Sequence, residues 1–385
     1  MNPTQPPTAS APTSFATRCV HAAQQPDPTT GAIVAPIHLS TTFERDADGG
    51  YTRGWRYGRE GTPNRSALEA CVAELEGGIA AFAFSSGLAA NMAVLEELKP
   101  GDRIVAAREG YHGTHRQLEE IVRRRGVTVE FIDATDPEQI ARALDARTRL
   151  LWVETPANPL LSLTDLARAA ELAHAQGARV VCDSTFATPY CQRPFEFGVD
   201  LVVHSGTKYL GGHSDILSGL VIVRDDRGLA ARLAEWQSLA GAVLAPFDCW
   251  LLRRSITTLG LRMQRQCTNA LELAGWLNGH AAIERTLYPG LPGHPGHALA
   301  VRQMPGGFGA VVSICVRGGA ESAVAIAART RLFRRATSLG GVESLIEHRA
   351  SVEGPGTLTP QNLLRLSIGI EDPQDLRADL AQALV

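Results

Sequence analysis

Between about residue 66 and residue 223 the chain alternates short, almost wholly apolar runs with stretches of helical periodicity. The apolar runs are "DRIVAA", "TVEFID", "RLLWVE", "ARVVCD", "DLVVHS" and "GLVIV". A strand that is apolar on both sides must be covered on both sides, and helices connecting successive strands supply the cover. The pattern predicts an α/β fold with a mostly parallel sheet. The connecting segments carry matching signals. "RSALEACVAELEGG" sets Leu68, Val72 and Leu75 on one helical face, with Gly77 as the stop. "TDLARAAELAHAQG" reads as a helix capped by Thr164 and ended by Gly177. From about residue 250 the texture changes. "FDCWLLRRSITTLGLRMQRQCTNALELAGWL" reads as one long helix bent at Gly260. It is followed by "FGAVVSICV" as a strand, a helix near 320, and "LLRLSIG" as a strand, which together suggest a smaller α+β domain.

At 385 residues the chain has room for one large domain and a smaller one. A net charge of -3 gives no bulk nucleic-acid footprint, so the basic runs "RRR" at 123–125 and "RTRLFRR" at 329–335 read as solvated helix faces. The seven cysteines are scattered without a C-x-x-C pair, which suits reduced thiols and a cytoplasmic location. No apolar run approaches the length of a membrane span. The opening "MNPTQPPTASAPTS" reads as a disordered tail rather than a signal peptide. No G-x-G-x-x-G follows a strand, and "SGTK" is not a nucleotide loop. "HGTH" at 112–115 and "HPGH" at 294–297 read as surface or turn histidines, so no metal is expected.

In parallel sheets ligands gather beyond the carboxyl ends of the strands. Asp183 falls there, as does "ETPANP" at 154–159. So does Lys208 in "HSGTKYLGGHSD", residues 204–215, flanked by Ser205 and Thr207. Each group alone is unremarkable as a turn or surface residue. Together they are what a phosphorylated pyridine aldehyde such as pyridoxal phosphate needs. An amine bonds the aldehyde, and an acid beside the ring nitrogen keeps the ring protonated and electron-withdrawing. Hydroxyls and a helix start, here "SSGLAANMAVL" at 85–95, hold the phosphate.

These stretches, with "YGREGTPNRSALEACVAELEGG", "CDSTFATP", "SLGGVESLIEH" and "LLRLSIGIED", occur in an order that resembles the Cys/Met-metabolism, or trans-sulfuration, family of pyridoxal-phosphate enzymes. The resemblance runs from about residue 17 to the end. It implies fold type I, the aspartate-aminotransferase-like fold, with a mostly parallel sheet of the seven-stranded type and a smaller C-terminal α+β domain. The domains implied are a tail and partner-contacting arm over 1–57, a cofactor domain over 58–250, and a C-terminal domain over 251–385. Carried over position by position, Lys208 bonds the cofactor and acts in catalysis with Tyr111, which also stacks on the ring. Asp183 pairs with the ring nitrogen. Gly87, Leu88, Ser205 and Thr207 serve the phosphate. Asn158 lies near the ring oxygen and the substrate. Arg365 clamps the substrate α-carboxylate, as a planar guanidinium can. Ser338 and Leu339 border the substrate. Tyr57 and Arg59 reach the cofactor phosphate of a partner chain, with Tyr57 and Glu60 also placed on the substrate side. A homo-oligomer follows, a dimer-built site and a tetramer in the family's usual form, with a small sulfur amino acid as substrate.

The chain departs from the family pattern in places. Ser184, Gly206 and Leu88 replace usual residues without removing a reacting group. "GTPN" at 61–64 is closer to the β-lyase-like branch. "SLGG" at 338–341 lacks the tryptophan of some β-lyases and leans toward chemistry at Cγ. Gly113 stands where methionine γ-lyases often have cysteine. "RASVEGP" at 349–355 replaces the usual lip of the site. Arg56 and Glu60 offer both charge signs where the distal end of cystathionine has an ammonium and a carboxylate. The expectation is therefore a lyase cleaving L-cystathionine at Cγ to cysteine, 2-oxobutanoate and ammonia. Cystathionine γ-synthase, acting on an O-succinyl or O-acetylhomoserine with cysteine, and cystathionine β-lyase are the alternatives. A non-enzymatic relative would be expected to have lost Lys208 or Asp183, and both are present.

Overall fold

A computed structural model describes residues 13–354 and 357–385. The segment read as a tail lies outside the described residues up to residue 12. Ser14, at its end, caps the helix Phe15–His21 by accepting the Thr17 N–H.

Seven strands form the large sheet: β1 (Ala80–Phe84), β2 (Arg103–Ala107), β3 (Thr128–Ile132), β4 (Thr148–Glu154), β5 (Arg179–Asp183), β6 (Leu201–Ser205) and β7 (Gly219–Val223). Their order is β1-β7-β6-β5-β4-β2-β3. Only β7 runs antiparallel to its neighbours, β1 and β6. Six of these strands are the apolar runs of the sequence. Alternate side chains along each strand enter two separate clusters, as a period of two requires. Val153, Val180, Cys182 and Val202 join one. Trp152, Val181, Leu201 and Val203 join the other.

A second, smaller sheet holds β8 (Ile283–Leu287), β9 (Val311–Val316), β10 (Arg334–Arg335), β11 (Leu345–His348) and β12 (Leu363–Ser367). Its order is β10-β11-β12-β9-β8, antiparallel except for β10 with β11. Val312, Ile314, Leu364 and Leu366 from this sheet pack into the first of the two clusters, so the sheets share a core.

Helix ends follow local chemistry. Thr62 caps Pro63–Glu76, and Gly77 ends it in the left-handed region at φ 84°. The helix Leu166–Ala175 is capped by Asp165, not by the expected Thr164. The Asp165 carboxylate accepts the Arg168 N–H, while the Thr164 carbonyl accepts from Gln303. The single bent helix expected near 250–277 is two helices, Pro246–Ile256 and Leu259–Leu277. The break falls at Thr257 and Thr258, whose hydroxyls donate to the carbonyls of Arg254 and Ser255. Hydroxyls that compete for helix carbonyls in this way favour termination. Gly260 sits inside the second helix, where an added Cβ would lie 3.5 Å from Ala16. Among the described residues no helix is long and apolar enough to cross a membrane.

Candidate active site

The sheet register brings the site together. Glu154 ends β4 and pairs with Asp183 at the end of β5, which in turn lies beside Val203 of β6. Past β6 the chain turns sharply, the Lys208 N–H donating to the Ser205 carbonyl. Lys208 thus emerges at the same sheet edge as the two acids. Its Nζ donates to Ser338 Oγ at 2.9 Å. Ser338 holds φ 97°, a costly value for a residue with a side chain. Burial first, then the nearby Arg365 guanidinium, lowers the Lys208 ammonium pKa to about 8.

These groups face a cavity of about 300 Å³. Gly87, Leu88, Tyr111, Asn158, Asp183, Ser205, Thr207 and Lys208 line it. Ser338, Leu339 and Arg365 line it as well. Gly87 and Leu88 open the helix Gly87–Leu95, and Ser86 caps it by accepting the Ala89 N–H. The first N–H groups of a helix have no partner within it, so this end suits an anion. The cradle is tight, because a Cβ on Gly87 would stand 3.2 Å from Ser205 Cβ. Thr207 is already engaged with Ser218, accepting its N–H at 3.0 Å and donating to its carbonyl at 3.2 Å.

Tyr57 and Arg59, expected at the cofactor of a partner chain, and Glu60 are not among the residues lining this cavity. Tyr57 is exposed, and the Arg59 guanidinium lies 5.6 Å from its ring and donates to the Ser238 carbonyl at 2.6 Å. Glu60 is bound by Arg56, whose Nε donates to it at 2.6 Å. The two charges that were expected to read opposite substrate groups meet each other within the chain.

Asp183 is buried and accepts the Thr185 N–H at 3.0 Å. Burial raises its carboxyl pKa. Sequence reasoning overlooked its neighbour Glu154, which looked like an ordinary strand-ending acid. One Glu154 oxygen accepts the Tyr111 N–H at 2.7 Å and the other the Asn158 N–H at 2.8 Å. A single buried carboxylate thus fixes the backbone of two cavity residues. Burial raises the Glu154 pKa, and the charge on Asp183 raises it further. Two more unforeseen groups, Glu347 and Arg349, adjoin Arg365. Arg365 donates to Asn158 Oδ1 at 3.0 Å, the Ser338 carbonyl at 2.8 Å and Glu347 at 2.6 Å. Three of the four histidines of "HGTH" and "HPGH" bond backbone: His115 faces the Ala107 carbonyl, His294 accepts the Gly296 N–H, and His297 faces the Pro289 carbonyl.

The family model for the Cys/Met metabolism PLP-dependent enzymes matches residues 16–385. The chain belongs to this family. The cystathionine gamma-synthase of Mycobacterium tuberculosis is 47% identical over 375 residues, 96% of each chain. The cystathionine beta-lyase of Coxiella burnetii is 44% identical, covering 96% of this chain and 97% of its own. The cystathionine gamma-lyase of Bacillus subtilis is 42% identical, covering 96% and 98%. A solved structure, cystathionine gamma synthase from Xanthomonas oryzae in complex with aminoacrylate and cysteine, superimposes with a TM-score of 0.93 at 41% identity. It covers 97% of this chain and 98% of that one.

As a member of the Cys/Met-metabolism PLP family, the chain is a pyridoxal-phosphate enzyme that breaks or exchanges bonds in sulfur amino acids, a carbon–sulfur lyase or transferase. Its cavity suits the cofactor on physical grounds. A helix start and Ser205 crowd closely enough to hold a phosphate, a buried acid waits for a cation, and a desolvated lysine lies between.

One consequence can be measured on cofactor-free protein. With its pKa at about 8, the Lys208 amine becomes neutral as pH rises through that value. Its labelling by an amine-directed reagent, followed by mass spectrometry of the Lys208 peptide, should rise with a midpoint near pH 8. A midpoint at the ordinary lysine value, near pH 10.4, would show that the cavity does not desolvate the amine.

Proposed function

We propose that this chain catalyses γ-replacement, joining cysteine to an O-acylated homoserine to give cystathionine and the free carboxylic acid. The observation that carries this reading is the Arg56–Glu60 pair. The two side chains engage each other within the chain, which weakens the charge pattern that favoured cystathionine as the incoming substrate. Three further points support the reading. The relatives at 47% identity carry the γ-synthase name. So does the solved structure at 41%. The "SLGG" wall lacks a tryptophan, which favours Cγ over Cβ. The second reading is γ-elimination of cystathionine, which needs the same groups and is the named activity of the 42% relative.

In this reading pyridoxal phosphate, when bound, supplies an aldehyde for the substrate amine and a ring that withdraws electrons from Cα and Cβ. Gly87, Leu88, Ser205 and Thr207 hold its phosphate. Asp183 would hold the ring nitrogen in its protonated form, and that cation would offset the burial that otherwise disfavours the carboxylate. Arg365 binds the substrate α-carboxylate and orients Cα toward Lys208. The Lys208 amine, neutral in a useful fraction near pH 8, takes the Cα proton and returns it later. Tyr111 serves proton traffic at the leaving group. Asn158 and Leu339 bound the space around the reacting carbons.

Tyr57 and Arg59 act, we propose, on the cofactor phosphate of a second copy. Their exposure, and that of Ile33, Val34, Ile37 and Leu39 on the same arm, supports a partner surface.

Two experiments test these readings. The holoenzyme is given cysteine with O-succinylhomoserine or O-acetylhomoserine, and separately cystathionine alone. Cystathionine formed faster from an ester than 2-oxobutanoate is released from cystathionine is the expected result. The reverse ratio would establish the lyase reading, and pyruvate as the main product would establish β-cleavage. Separately, mixing Lys208→Ala and Arg59→Ala chains should recover roughly a quarter of wild-type activity per chain, because half of the chains enter mixed dimers and one site in each is intact. No recovery after confirmed subunit exchange would mean that each site is built within one chain.

A further inference from the structure

We infer that Arg349 is a positioning residue for Arg365, and that it sets the affinity for the α-carboxylate shared by every substrate. This rests on the role proposed above for Arg365. Arg349 begins the "RASVEGP" segment, to which neither the family resemblance nor the proposed mechanism gives a task.

The geometry starts from two neighbouring strands. β11 and β12 pair so that Glu347 stands directly across from Arg365. Residues opposed in this way share a face and interact. One oxygen of Glu347, Oε2, takes both Arg365 Nη2 at 2.6 Å and Arg349 Nη1 at 3.0 Å. On its far side Arg349 donates from Nη2 to Glu353 Oε1 at 2.8 Å. Glu353 is itself tied down by the hydroxyls of Thr357 and Thr359. The result is an alternating row of charges, Arg365, Glu347, Arg349 and Glu353. Its first three members are 4%, 6% and 4% exposed, so water does not screen them.

The second oxygen of Glu347, Oε1, is buried without a hydrogen-bond partner among the described residues. That spare acceptor gives Arg349 its purpose. Carboxylate and guanidinium pair most strongly through two parallel bonds. With Arg349 in place, Glu347 is shared and touches Arg365 through one oxygen. Without Arg349, both Glu347 oxygens are free to close on Arg365 as a fork. The substrate α-carboxylate would then compete with an internal carboxylate for the same donors. Arg349 thus keeps Arg365 both oriented and available. Arg349 also lines the cavity; both of its terminal nitrogens are committed to acids, and its Nε is buried without a hydrogen-bond partner among the described residues.

The test is a double-mutant cycle on the holoenzyme with Arg349→Met, Arg349→Lys, Arg365→Lys and the Arg349→Met/Arg365→Lys pair. KM and kcat are measured with cysteine and each of O-acetylhomoserine and O-succinylhomoserine, or with cystathionine if the lyase reading holds. Arg349→Met should raise KM by about tenfold for every substrate, whatever its distal end, with kcat changed less than about threefold. Arg349→Lys should recover part of the loss. In the Arg365→Lys chain the Arg349→Met change should add less than about threefold, because its route is already impaired. An unchanged KM in Arg349→Met, full additivity with Arg365→Lys, or a loss confined to substrates with a distal carboxylate would each overturn the inference. If Arg349→Met fails to fold, a KM for Arg349→Lys equal to that of wild type would overturn it. Should Arg365→Lys itself leave KM unchanged, the proposed role of Arg365 fails first. A raised KM in Arg365→Lys beside an unchanged one in Arg349→Met sinks the positioning role alone.

Discussion

Two carboxylates, Glu154 and Asp183, end adjacent parallel strands and are buried side by side at the sheet edge. Like charges in such a place oppose each other's ionisation, and burial opposes both. The protein answers unequally on the two sides. Glu154 has a backbone N–H on each oxygen, from Tyr111 and Asn158. Asp183 has the Thr185 N–H. A cation placed at Asp183 relieves the remaining conflict, and a protonated pyridine ring is such a cation. The site is in this sense electrically unfinished without its cofactor. Glu154 alone fixes the backbone of Tyr111 and of Asn158, so part of the cavity framework follows from it.

On the opposite side of the cavity the sign of the problem is reversed. Lys208 and Arg365 are close enough for the guanidinium to help lower the lysine pKa. Glu347 offsets the arginine, and Arg349 restrains Glu347. A weakly basic Lys208 is what proton transfer near neutrality requires. The arginine proposed to bind substrate thus also helps lower the pKa of Lys208. The smaller sheet contributes this cluster through β11 and β12. Alternate side chains from the two sheets meet in one shared core, which holds Arg365 at a fixed place relative to Lys208.

Much of this was legible because the strands that carry the site are apolar on both sides. β4, β5 and β6 announce themselves, and with them the places of Asp183 and Lys208. β1, "AAFAF", lacks β-branched residues and gave no such signal. β8 is half exposed, and β11 has only four residues, so neither stands out from its surroundings. Asp165 displaced Thr164 as a cap because both suit the position and only the chain path decides between them. Glu154 and Arg349 escaped notice for a shared reason. A charged residue in sequence reads as solvated, and burial that depends on partners far along the chain leaves no local trace. The converse held for Arg56 and Glu60. Read singly they are two separate charges, and four residues apart they meet as one ion pair within the chain, with side chains 61% and 31% exposed.

The central claim is that the end of β6 presents Lys208 as the amine that bonds the cofactor. The direct measurement is borohydride reduction of the purified, cofactor-loaded protein, followed by proteolysis and mass mapping of the pyridoxyl group. The account predicts one modified site, Lys208, in the "HSGTKYLGGHSD" peptide, and loss of the yellow absorbance on reduction. A pyridoxyl group fixed to Lys99, the other lysine of the chain, or no covalent adduct in protein that retains its cofactor, would contradict it.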